Sequence, residues 1–229
     1  LFGPNAQLSL SGSYTATSAD QVELNGNVLN ALEATHDYSE LTGDPSALTF
    51  TAETAGAVVN DGKLAVNAGE SISLVGGTVV NTGSVTAPEG EVGLVAVGGN
   101  RSVKLATPGS LLSMEVASSE LALAPSGTFE PVDLPEILTG KPVQNADSLI
   151  VNADGSVTLT HTEAAGEADT VVSAGAVVAS GEISVASQAG NGEAGGAVAL
   201  VGESVSVSAA QIAASGDRGG SIRVGGDIK

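Results

Sequence analysis

The chain has 229 residues, with 26 acidic against 7 basic side chains and a formal net charge of −19. Such a surface repels phosphate backbones and excludes nucleic acid as a partner class, and its acidity keeps a β-rich surface soluble and discourages edge-to-edge pairing. Cysteine is absent and only 2% of residues are aromatic, which excludes disulfides and thiolate metal sites and points to a narrow interior of small aliphatics.

In chain order, residues 1–24 alternate apolar and polar positions, as in Leu8-Ser9-Leu10 and Tyr14-Thr15-Ala16-Thr17, and predict short strands with one face buried. From Asn25 to Pro45 the periodicity fades and a loop or small excursion is expected, after which Leu48-Thr49-Phe50-Thr51-Ala52 reads as a strand.

A repeat follows. Val58-Val59-Asn60-Asp61-Gly62-Lys63-Leu64-Ala65-Val66 returns as Val79-Val80-Asn81-Thr82-Gly83-Ser84-Val85-Thr86-Ala87, and again as Val177-Val178-Ala179-Ser180-Gly181-Glu182-Ile183-Ser184-Val185. A unit this short cannot bury its own apolar face and has to stack on its copies. Rungs about 4.8 Å apart set Leu64 over Val85 and Val66 over Ala87, with Ile72 over Val92 and Leu74 over Leu94 beyond the next turn.

Residues 100–174 break this rhythm. Pro125, Pro131, Pro135 and Pro142 are close together, and proline cannot donate to a ladder. Leu121-Ala122-Leu123 remains strand-like, and residues 149–159 read as a β-hairpin around Asp154-Gly155. An outgrowth packed on the side of the stack is expected here. From Gly175 the repeats resume: Gly195-Gly196-Ala197-Val198-Ala199-Leu200 matches Gly219-Gly220-Ser221-Ile222-Arg223-Val224, and the glycine pairs suit tight corners between coils. Residues 188–193 read as an enlarged turn. The predicted organisation is therefore stacked β repeats over 1–99, an outgrowth over 100–174, and further repeats over 175–229. No run is apolar and long enough to span a bilayer and no signal-peptide pattern is present. The start at Leu1 and the repeat-like close at Gly225-Gly226-Asp227-Ile228-Lys229 read as ends cut from a longer protein.

These segments carry a resemblance. Leu1-Phe2-Gly3-Pro4-Asn5-Ala6-Gln7-Leu8 with Thr15-Ala16-Thr17-Ser18-Ala19-Asp20, then Leu74-Val75-Gly76-Gly77, Val85-Thr86-Ala87-Pro88-Glu89-Gly90 and Val92-Gly93-Leu94-Val95-Ala96, and finally residues 212–226, resemble in order the haemagglutination-activity, or two-partner-secretion, domain of filamentous-haemagglutinin-like exoproteins. The resemblance implies an all-β fold, a right-handed parallel β-helix or solenoid, here bearing the extra-helical outgrowth. It implies export from a Gram-negative bacterium through a dedicated outer-membrane transporter barrel, and a secreted or cell-surface protein acting as an adhesin on host or neighbouring-cell glycans or proteins. The family's Asn-Pro-Asn-Gly type motif normally sits just before the stretch matched from Leu1, so no transporter-recognition residue is assigned.

Catalytic chemistry finds little support in the residues. Lys63, Arg101 and Lys104 are the basic side chains of the first 104 residues and read as solvated charges. Asp217 and Glu203 are a pair of carboxylates whose separation the sequence leaves open. His36 and His161 are the two imidazoles and lie in different segments, too few for a zinc site. Ser13 and Ser84 read as turn residues, and no serine sits in a Gly-x-Ser-x-Gly context. Asn152-Ala153-Asp154-Gly155-Ser156 resembles part of a calcium loop but lacks the later bidentate acid and suits a hairpin turn. Thr158, Thr160 and Thr162 form one threonine row, as in a half-exposed strand. No catalytic, cofactor or metal residue is assigned. The alternatives are a carbohydrate-active β-helix, a lyase or hydrolase with its site on the 100–174 outgrowth, and the stalk of a contact-dependent toxin.

Overall fold

The computed structural model describes residues 1–33, 35, 38–39, 41–43, 45–52, 55–99, 101–104, 148–153, 155–160, 170–188, 190 and 192–226. Short alternating segments separated by turn formers become strands throughout, and the described residues are all-β with no helix. β1 (Gln7–Leu10) and β2 (Tyr14–Thr17) are followed by three antiparallel strands, β3 (Gln21–Leu24), β4 (Asn27–Asn30) and β5 (Pro45–Phe50). A triplet then appears, β6 (Ala57–Asn60), β7 (Lys63–Val66) and β8 (Ser71–Gly76), and recurs as β9 (Thr78–Asn81), β10 (Ser84–Thr86) and β11 (Glu91–Ala96). Four more strands intervene: β12 (Arg101–Lys104), β13 (Ser148–Val151), β14 (Val157–Thr160) and β15 (Thr170–Val172). The triplet then returns as β16 (Ala176–Ala179), β17 (Glu182–Ser184) and β18 (Ala197–Gly202), and again as β19 (Ser204–Val207), β20 (Gln211–Ala213) and β21 (Ser221–Gly226).

Equivalent members of successive triplets pair in parallel and build three sheets: sheet I in the order β1-β7-β10-β17-β20, sheet II in the order β2-β8-β11-β18-β21, and sheet III in the order β19-β16-β9-β6. The register is that of the sequence repeats. Val58 pairs with Val79 and Val79 with Val177; Leu64 with Val85 and Val85 with Ile183; Ile72 with Val92 and Leu74 with Leu94; Val198 with Ile222 and Leu200 with Val224. Val66 pairs with Leu10, and Ala87 lies one residue beyond β10; both are buried in the core shared by the three sheets.

That core holds Val58, Leu64, Ile72, Leu74, Val79, Val85, Leu94, Val177, Ile183 and Leu200, all nearly inaccessible. Each buried aliphatic contributes on the order of 1.5–3 kcal/mol. Two antiparallel sheets pack outside it. The β12-β5-β3-β4 sheet brings Leu48, Phe50 and Val103 against Val75, Val95 and Val97 on the outer side of sheet II. The β13-β14-β15 sheet brings Val157 and Val172 against Val59 and Val80 on the outer side of sheet III, with Val178 packed alongside. The doubled valine of the repeat is thereby explained. The first valine faces the shared core and the second lies beneath an outer sheet. Neither outer cluster includes a residue of sheet I, whose outward positions are Gln7 and Ser9, Lys63 and Ala65, Ser84 and Thr86, Glu182 and Ser184, and Gln211 and Ala213.

Corners between sheets are closed by stacked glycines. The carbonyls of Gly62, Gly83 and Gly181 accept the amides of Ser84, Glu182 and Gln211 from the next pass, at 2.8, 2.9 and 3.0 Å. In the first two of these passes a glycine sits directly on the carbonyl below, so a β-carbon on Gly83 would collide with the Gly62 oxygen and one on Gly181 with that of Gly83.

Three expectations are revised. The stretch from Asn25 to Pro45 holds a hairpin: Asn25 and Gly26, at φ 50° and 84°, reverse the chain between β3 and β4, and β5 already begins at Pro45. β12, at the start of the expected outgrowth, pairs with β5. Ser84 opens strand β10 and is not a turn residue. The 149–159 hairpin is present, with Gly155 at φ 76°. Asp154, residues 105–147 with Leu121-Ala122-Leu123 and the four prolines, and residues 161–169 lie outside the described residues.

Candidate functional site

The turns from sheet I to sheet II repeat on every pass, and where they stack they leave an open groove of about 570 Å³. Gly69 and Ser71 come from one pass, Glu89, Gly90 and Glu91 from the next, then residues 195–197 and 219–221. Four rungs at strand spacing span roughly 14 Å along the stack. The floor is main chain for a definite reason. The carbonyls of Gly90 and Gly196 accept the amides of Ala197 and Ser221 at 2.9 and 3.0 Å, and a β-carbon on Gly196 or Gly220 would strike the carbonyl beneath it.

Two turns of this series share one hydrogen-bond pattern. The Glu70 amide donates to the Asn67 carbonyl at 3.2 Å, and the Gly90 amide to the Ala87 carbonyl at 3.1 Å. Their third positions are left-handed, Gly69 at φ 83° and Glu89 at φ 61°. Pro88 suits the position before, and glycine suits the left-handed one. The second turn instead places glutamate there, at a steric cost of roughly 1–2 kcal/mol. The ionisable groups of the lining are the carboxylates of Glu89 and Glu91, accompanied by the hydroxyls of Ser71 and Ser221. The arrangement suits hydrogen bonding and attraction of positive charge.

The residues singled out in the sequence are spread over the molecule. Lys63 is exposed on sheet I, whereas Arg101 lies on β12 and pairs with Glu203 at 3.4 Å; Lys104 also belongs to β12. Asp217 does not share a site with Glu203: its two carboxylate oxygens accept the amides of Gly190 and Gly192 at 2.9 and 2.6 Å. These two amide bonds hold its pKa below the usual 3.8, outweighing a smaller opposing effect of desolvation. Ser13 donates to Glu70 at 2.7 Å and accepts the Ser71 amide at 3.0 Å, tying the turn before β2 to the start of β8. In the 152–156 loop, Asn152 Nδ2 donates to Ser156 Oγ and Thr158 Oγ1, each at 2.9 Å. The loop's hydroxyls are thus engaged as a hairpin. Thr160 pairs with Ser148. His36, His161 and Thr162 lie outside the described residues, and among the described residues no group of three or more His, Cys, Asp or Glu is arranged to hold a metal ion.

The groove itself was not anticipated. Its signal in the sequence is the pair of matched glycine doublets, Gly195-Gly196 and Gly219-Gly220, read as tight corners alone; the structure adds Gly90 to the same column. Comparison with protein-family models, with curated proteins and with solved structures finds no match to this chain.

Proposed function

We propose that the three parallel sheets are the walls of a right-handed parallel β-helix. In this reading the chain is part of a large exoprotein of a Gram-negative bacterium, exported by two-partner secretion and displayed as a non-catalytic adhesin. The observation that carries the reading is the succession of triplets: equivalent strands pair in parallel at constant register around one aliphatic core. The family resemblance of residues 1–8, 15–20, 74–77, 85–90, 92–96 and 212–226 adds the export route. Its partners are then an outer-membrane transporter barrel during export and surface glycans or proteins of host or neighbouring cells afterwards. Recognition falls to the corner groove and the exposed wall of sheet I.

The test is secretion of the protein from a Gram-negative host, with and without a co-expressed outer-membrane transporter barrel of the two-partner-secretion type. Appearance in the medium or on the surface only when the transporter is present supports the reading. Retention inside the cell despite the transporter, or turnover of polysaccharide by the purified protein, overturns it. An experimentally determined structure with a left-handed winding would overturn the fold.

A further inference from the structure

The geometry points to Asn25 as a site of self-modification, at which the carboxamide is lost as ammonia and the main chain is rerouted through an isoaspartyl linkage. Asn25 and Gly26 form the whole loop between β3 and β4: Leu24 pairs with Asn27, and both loop residues are left-handed, at φ 50° and 84°. Asn-Gly is the favoured pair for such a reversal. The same pair is reactive, because the glycine nitrogen is tethered within reach of the asparagine Cγ and no β-carbon shields it.

The surroundings set this asparagine apart. Asn25 is exposed, and neither its carboxamide nor the Gly26 amide has a hydrogen-bond partner among the described residues. A β-carbon on Gly26 would meet nothing within 4 Å, so water reaches the turn. Asn60 and Asn81 are buried and bonded to each other, and the carboxamide of Asn152 is bonded to Ser156 and Thr158. Asn67 is exposed but precedes Ala68. In the other Asn-Gly pair of the chain, the Gly192 amide donates to Asp217.

The reaction needs only water. The Gly26 nitrogen attacks Cγ of Asn25, the Cγ–Nδ2 bond breaks, and Nδ2 leaves as ammonia with the proton given up by the Gly26 amide. Water then opens the cyclic imide. Cleavage at Cγ gives aspartate, and cleavage at the Asn25 main-chain carbonyl gives isoaspartate; each adds one carboxylate. Closure of the ring requires a brief opening of the turn, and β4 is the edge strand of its sheet, where local opening costs least. Isoaspartate inserts a methylene into a loop that has no spare length, so Leu24 and Asn27 lose their register. β4, with Val28 54% exposed, then loosens, while β5 stays held by the buried Leu48 and Phe50.

The test is incubation of the whole chain at mildly alkaline pH, with mass-spectrometric mapping that localises each deamidation and enzymatic methylation that detects isoaspartate. Asn25 is expected to gain the mass of one deamidation ahead of Asn60, Asn67, Asn81 and Asn152, with isoaspartate exceeding aspartate. In the modified fraction, amide hydrogen exchange should show lost protection in β4 and retained protection at Leu48 and Phe50. Asn25→Gln, whose longer side chain closes the ring poorly, should remove the mass increment at this position and keep β4 protected over the same incubation. An intact Asn25 after Asn67 has reacted, or after prolonged incubation, overturns the proposal. So does unchanged β4 protection in the isoaspartyl form, or equal loss of it in Asn25→Gln.

Discussion

Asn60 and Asn81, aligned in the repeat and both fully buried, are joined side chain to side chain by a hydrogen bond of 2.8 Å from Nδ2 of the first to Oδ1 of the second. The Asn60 Oδ1 atom in turn accepts the amide of Gly62 at 3.1 Å, so one polar ladder fixes both the register of sheet III and the corner that follows. The ladder ends at the next pass, where Ala179 takes the place beside Asn81. Asn60→Ala leaves a buried amide short of its partner and is expected to cost about 1–3 kcal/mol. A double-mutant cycle with Asn81→Ala should give less than the sum of the single losses, because removing both partners leaves fewer orphaned groups. Additive losses would show that the two amides do not act together.

The faces of β7 make a second prediction. Val66 belongs to the shared core and Lys63 stands exposed on sheet I. Val66→Asp should cost about 3 kcal/mol or more through a buried charge, and Lys63→Asp should stay within about 0.5 kcal/mol. Urea unfolding of the two variants decides it, and equal midpoints would refute the orientation of the strand.

The corner glycines behave differently from glycines in open space. A methyl group on Gly181 meets the Gly83 carbonyl, whereas one on Gly12 meets nothing within 4 Å. Gly181→Ala should therefore lower stability by about 2 kcal/mol or more. Gly12→Ala should leave it unchanged or raise it slightly, through the lower entropy of the unfolded chain. Thermal unfolding of both variants separates a packing role from a merely permissive one.

Acid should loosen the attachment of β5. Desolvation raises the Asp20 pKa, but hydrogen bonds from the Thr51 amide and hydroxyl and the Ala52 amide outweigh it, and the net value falls below 3.8. A lowered folded-state pKa means that this contribution is complete above the unfolded value and is lost as the pH falls through the folded one. Stability measured from pH 6 to pH 2 should show an acid limb that is shallower in Asp20→Asn. Identical limbs would show that other carboxylates govern it.

How far the sequence carries the fold depends on where burial is one-sided. The columns through Leu64 and Leu74 were legible because their period survives in adjacent copies. β1 joins the same sheet with Leu8 opposite Leu64, but an intervening antiparallel excursion hides the repeat. The orientation of the doubled valines was not legible, because an apolar pair reads alike whether one face or both are covered. The β3–β4 hairpin carried the Asn25-Gly26 turn signal, obscured by the weak periodicity after it. The salt bridge between Arg101 and Glu203 joins groups far apart in sequence and partly exposed, and no local pattern announces such a contact. The groove is a property of stacked turns, so it emerges only once the register is known.

The second valine of each pair has a consequence for anyone shortening this protein. A deletion that joined β11 directly to β16 would look harmless from the repeats, since Val79 and Val177 already pair. It would also strip β14 and β15 from Val59 and Val80, leaving a greasy strip on a wall shaped to be roofed. A trimmed rod would need polar replacements at those positions before it could stay dispersed in water.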